Sequence, residues 1–128
     1  MPELEYFIVA ESYSVDSDSN ALSLFNVLNE VRTPTFPTTL PKLVAISCWI
    51  ATPEEIAAEC DSQVVIQFLS DGQDPKLFRG NFTCDRRLQH VVLEIKGVQV
   101  DHPSEFRVEL QLNGEHKAWH RIFFEQLG

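Results

Sequence analysis

Apolar and polar residues alternate with a period close to two along most of the chain. Turn-forming residues bound each stretch at intervals of roughly ten positions, a pattern that predicts an all-β fold, a two-sheet antiparallel sandwich of about seven to eight strands. The first stretch, Glu5 to Val15, has an unbroken apolar centre, Tyr6-Phe7-Ile8-Val9-Ala10. Such a strand is expected to be covered on both faces or to sit at a sheet crossing. Asp16-Ser17-Asp18-Ser19-Asn20 follows as a polar turn whose side chains can bond to their own backbone.

Between Ala21 and Val31 two periods compete. Ala21, Leu24, Phe25 and Leu28 fit a helical face, whereas Leu22 and Leu24 followed by Phe25 and Val27 fit a strand with a phase shift; the strand is preferred. Pro34, Pro37 and Pro41 then remove backbone donors, so Thr33 to Pro41 reads as a crossover between the sheets, with Phe36 and Leu40 closing the end of the core. After a strand at Lys42 to Ala51, Thr52-Pro53-Glu54-Glu55 combines an N-cap, a proline at the first helical position and a returning glutamate. One short helix over residues 53–60 is expected.

Ser62 to Ser70 and Lys76 to Cys84 flank Asp71-Gly72-Gln73-Asp74-Pro75 and pair as a hairpin with a longer loop. In Leu88 to Val100, Gly97 suggests a bulge at which the inward phase resets. Phe106, Val108, Leu110 and Leu112 alternate cleanly and must face the core. At Asn113-Gly114 a two-residue loop would set Leu110 opposite Lys117 and Phe106 opposite Arg121, burying two charges. A three-residue loop ending at Glu115 sets them opposite Ala118 and Ile122 instead, and predicts a final strand from His116 to Glu125.

At 128 residues, 44% hydrophobic and 23% charged, the chain suits one globular domain spanning 1–128. The net charge of -9 repels a phosphate backbone and argues against nucleic acid. No apolar run approaches the ~20 residues of a membrane span, and no secretion signal is visible, so no membrane role is expected. Cys48, Cys60 and Cys84 are an odd, widely spaced set, which fits a reducing, cytoplasmic setting better than a disulfide framework.

Candidate chemistry is sparse. His116 and His120 would share a face on a helix, but on a strand they stand about 13 Å apart, too far for one ion. Asp16-x-Asp18-x-Asn20 opens like a calcium loop, yet Ala21 and Val27 occupy the positions that need glycine and glutamate. No nucleophile elbow or glycine-rich phosphate loop is present, so no catalytic, cofactor-binding or metal residue is assigned. Pro34-Thr35-Phe36-Pro37 fits a structural crossover better than a docking motif. Trp119 and Phe123 fall on the face opposite Ala118 and Ile122, beside Lys117 and Arg121, and form a candidate contact surface because aromatics beside arginine are enriched at interfaces.

The runs Leu22-Ser23-Leu24-Phe25-Asn26-Val27 and Thr35-Phe36-Pro37-Thr38-Thr39-Leu40-Pro41-Lys42-Leu43 resemble those of an uncharacterised family of small bacterial immunoglobulin-like β-sandwich proteins. The resemblance implies a sandwich fold and a bacterial cytoplasmic setting, with no activity or catalytic residue to carry over. The resulting expectation is a non-catalytic module that binds another protein or, as a homo-oligomer, itself. The alternatives are a small-ligand domain using a cleft between the sheets and, behind it, an enzyme whose site is assembled only in three dimensions.

Overall fold

In the computed structural model, which describes residues 1–127, the alternating stretches become nine strands and one short helix. They are β1 (Glu3–Val15), β2 (Leu22–Val27), β3 (Glu30–Thr33), β4 (Thr38–Ile50), α1 (Pro53–Ala57), β5 (Asp61–Ser70), β6 (Gln73–Thr83), β7 (Leu88–Val100), β8 (Ser104–Leu112) and β9 (Glu115–Gln126). One sheet has the order β2-β1-β4-β7 and the other β3-β9-β8-β5-β6. The sheets face each other across a single large apolar cluster that takes Phe7, Val9, Leu43, Trp49, Ile95 and Val100 from the first and Val64, Ile66, Phe68, Phe106, Leu110, Ile122 and Phe124 from the second. Phe106, Val108, Leu110 and Leu112 all point into it, as their alternation requires. Trp49 is fully enclosed, stacked on Phe82 at 6.0 Å, and its indole N–H donates to the Ser47 hydroxyl at 2.8 Å, so the ring's one donor is paired.

Several details of the sequence reading change, beginning with the strand count, which is nine rather than seven to eight. The stretch from Ala21 to Val31 is strand, but it divides: Leu28 is buried in the main core and the chain changes sheets there, so β2 pairs with β1 while β3 runs parallel to β9. Asn26, with φ 55°, supplies the phase shift. The helix ends at Ala57 rather than at residue 60, because Glu59 adopts φ 50°; its start is the expected capping box of Thr52 and Glu55.

The β5–β6 connection is tighter than a five-residue loop. Only Asp71 and Gly72 lie between the strands, and Pro75 is part of β6. This is tolerable because β6 is an edge strand, where a missing donor need not interrupt a second ladder. At Asn113-Gly114 the loop is the two-residue kind, with φ 51° and 83°, and the ladder slips by one between Gln111↔His116 and Leu110↔Ala118. A bulge at Lys117 thus produces the Leu110↔Ala118 and Phe106↔Ile122 register that a longer loop had been expected to give. Gly97, at φ 72°, does reset the phase of β7, since Ile95 and Val98 are both buried. The β4 ladder keeps its register through that point, so the strands kink together without an extra residue. The crossover from β3 to β4 leads from one sheet to the other but is shorter than Thr33 to Pro41, because β4 begins at Thr38 and Leu40 already pairs with Val98; Phe36 and Leu40 pack on the core as expected.

Candidate interaction face

A sandwich has two outer faces, and here they differ in what covers them. On the four-stranded sheet, Tyr6↔Cys48↔His90 and Ile8↔Ile46↔Val92 form cross-strand rows with Ala10↔Val44 beside them. Ala10, Val44 and Ile46 are apolar, point away from the main core, and are nonetheless fully buried under Leu22 and Leu24. This requires the tip of the β1–β2 hairpin to fold back across its own sheet. The Asn20 amide accordingly reaches the Leu88 carbonyl on β7 at 3.5 Å, although β2 and β7 are at opposite ends of the strand order. The turn at the tip is closed by the Asp16 carboxylate, which accepts from Asp18 N–H at 2.8 Å.

Beneath that hairpin lies a mostly apolar cleft of about 440 Å³ lined by Tyr6, Ile8, Leu22, Leu24, Cys48 and His90 among others. The Tyr6 hydroxyl and His90 Nε2 are 2.9 Å apart, and His90 Nδ1 is buried without a partner. Burial pushes the Tyr6 hydroxyl up to about 12, raises the Cys48 thiol and lowers His90. At neutral pH all three groups are held uncharged, which suits an apolar environment.

Among the described residues, nothing covers the outer face of the five-stranded sheet in this way. Its rows are Phe123 beside Glu105, Arg121 beside Arg107 and Leu69, and Trp119 beside Glu109, Gln67 and Leu77. Trp119 and Phe123 are 45% and 44% exposed. The Arg107 guanidinium stands 5.8 Å from the Trp119 ring centre, and the His116 ring lies 5.0 Å from it on the same strand. His116 is itself held by the Glu109 carboxylate at 2.7 Å. These contacts restrict the Trp119 rotamer, so less freedom is left to lose on binding.

Arg107 and Arg121 are directly opposed, an arrangement that costs energy on a sheet unless something neutralises it. Arg121 has Glu105 at 3.6 Å, with both side chains well exposed, a weak contact. A polar groove of about 600 Å³ continues from this pair past Ser70, His102 and Ser104. Of the residues singled out from sequence, Trp119, Arg121 and Phe123 share this face. Lys117, at the bulge, turns to Glu115 at 3.6 Å and is only one-fifth exposed. Arg107, Glu109 and Leu77 were missed, because the strand pairing that brings them beside Trp119 depends on the whole sheet order. His120 is elsewhere: its Nε2 meets the Leu28 carbonyl at 2.6 Å, and burial lowers its pKa. β9 is an interior strand for part of its length, since β3 pairs with it only from Phe123 to Gln126.

Fold and face together define a two-sheet β-sandwich of nine strands with one outer face closed by its own hairpin and the other left open, aromatic and of mixed charge. The model of a family of unknown function, DUF6941, matches residues 5–123, and the chain belongs to that family. No curated protein matches it. Among the described residues, no helix is long and apolar enough to cross a membrane.

Proposed function

We propose that the protein is a non-catalytic interaction module that docks another protein on the outer face of its five-stranded sheet, around Trp119, Arg121 and Phe123. The observation that carries this reading is the exposure of two large aromatics on β9, a strand paired along its length with β8, with Arg107 set against one of them. Buried aromatics and arginines dominate the energy of protein interfaces, and a rigid strand presents them at little entropic cost. The opposed Arg107 and Arg121 favour a partner that brings carboxylates next to apolar side chains. They disfavour a two-fold pairing of identical faces, which would crowd four arginines together. A bacterial cytoplasmic setting accompanies this reading, supported by three unbridged cysteines.

Selection from a displayed random-peptide library tests it, with depletion on Trp119→Ala and Arg107→Glu protein before capture on the wild type. Sequences combining acidic and aromatic or leucine residues should be enriched and should bind the wild type about thirtyfold more tightly than either variant. Peptides that bind all three proteins equally would overturn the choice of face. The apolar cleft under the hairpin favours a second reading, a small-ligand domain. Under it, a thermal-shift screen of apolar metabolites should give a response that Tyr6→Phe abolishes.

A further inference from the structure

The β5–β6 ladder pairs Ser62 with Phe82 and Asp61 with Thr83. One step further places Cys60 opposite Cys84, and the Cys84 N–H donates to the Cys60 carbonyl at 2.9 Å. Both are free thiols, and the charge of Cys60 acts on Cys84, as close neighbours require. Directly opposed residues of an antiparallel ladder have Cα atoms about 4.5–5.5 Å apart, inside the range of about 4.4–6.8 Å that a disulfide spans. Cys48 has no such partner: it lies on the covered face between Tyr6 and His90.

We propose that Cys60 and Cys84 are a reversible redox pair, which closes to a disulfide by exchange with a low-molecular-weight disulfide of the oxidised-glutathione class. Exposure divides the roles, since Cys60 is partly exposed and Cys84 is buried. The Cys60 thiolate attacks one sulfur of the oxidant, whose S–S bond breaks to release one glutathione and leave a mixed disulfide on Cys60. The Cys84 thiolate then attacks the Cys60 Sγ, and the second glutathione departs. Two electrons pass from the cysteine pair to the oxidant, and the two cysteine protons end on the two released thiols. Burial and the nearby Glu55 carboxylate raise the Cys84 thiol, so the closing step should quicken as pH rises. In a reducing compartment the pair rests open. Closed, it ties the segment after α1 to the end of β6.

Incubating the whole protein with oxidised glutathione at mildly alkaline pH should reduce its free thiols from three to one. Peptide mapping should find Cys60 joined to Cys84, and the melting temperature should rise by roughly 10 °C for a closed loop of about 25 residues, reversibly with dithiothreitol. Cys48→Ser should still form the bridge and Cys60→Ser should not. Survival of all three thiols, or a glutathione adduct on Cys60 that Cys84 never displaces, would overturn the proposal. Because wild-type mapping identifies the bridge, the test does not depend on either variant folding.

Discussion

The two outer faces begin from similar physical problems and reach different ends. Both carry large apolar groups away from the main core. On the four-stranded sheet, Val44 and Ile46 are fully buried because the chain spends the β1–β2 hairpin on covering them, with Leu22 and Leu24 as the contact. On the five-stranded sheet, Trp119, Phe123 and Leu77 stay open, ringed by Arg107, Arg121, Glu105 and Glu109. The molecule thus closes one apolar face with its own chain and leaves the other, decorated with charge, open to solvent. Scattered exposed apolar residues are ordinary; an exposed aromatic held by an arginine and a histidine on a rigid strand is a better anchor.

The largest difference should come from truncating each face. Ile46→Ala, on the closed side, should cost about 2–5 kcal/mol in denaturant unfolding, since the removed methylenes leave a cavity between sheet and hairpin. If that substitution were as mild as a surface change, the hairpin would not be seated as described. Loosening the cover itself should cost less: Leu22→Ser with Leu24→Ser should remove roughly 1–3 kcal/mol and increase binding of a hydrophobic dye. A loss of stability with no gain in dye binding would mean that the face beneath stays shut.

Acid should act on two partly buried histidines, one in each sheet. Burial lowers both His90, under the hairpin, and His120, at the edge where it meets Phe7. The unfolded chain binds protons at these sites before the folded one does. Stability is therefore retained above the ordinary histidine value of about 6.5 and declines as pH falls through it, levelling off below the depressed folded values. Melting temperatures between pH 8 and 5.5 should show the decline, and His120→Gln should flatten it; an unchanged slope in that variant would assign the effect elsewhere. Glu30 and Glu55, both held below the usual carboxylate value, lose their contributions only in more acid solution. The smallest effect belongs to the open face, where Trp119→Ala should shift unfolding by no more than about 0.5 kcal/mol while removing binding.

Much of this architecture was legible from local pattern. The alternation of Phe106 to Leu112 identified its inward residues, and Thr52 to Glu55 identified the helix start. The register opposite Ala118 followed from the cost of burying Lys117 and Arg121, although a bulge rather than a longer loop delivers it. What was not legible depends on distant pairing. The apolar run Tyr6 to Ala10 announced a strand covered twice, but nothing local says that the second cover is the following hairpin. The redox pair was hidden by a turn: a five-residue loop sets Ser70 opposite Lys76 and therefore Cys60 opposite Arg86. The tighter turn at Asp71-Gly72, followed by a one-residue register shift between Ser70 and Phe68, brings Cys60 and Cys84 together.

The most direct measurement of the central claim is hydroxyl-radical footprinting of the protein, alone and with the tightest peptide from the displayed library, read residue by residue by mass spectrometry. The account predicts protection of Trp119, Phe123 and Leu77 on binding, with Leu22, Leu24 and Phe25 unchanged. Protection concentrated on the hairpin, with Trp119 and Phe123 as reactive as before, would contradict it and make the covered face the site of recognition.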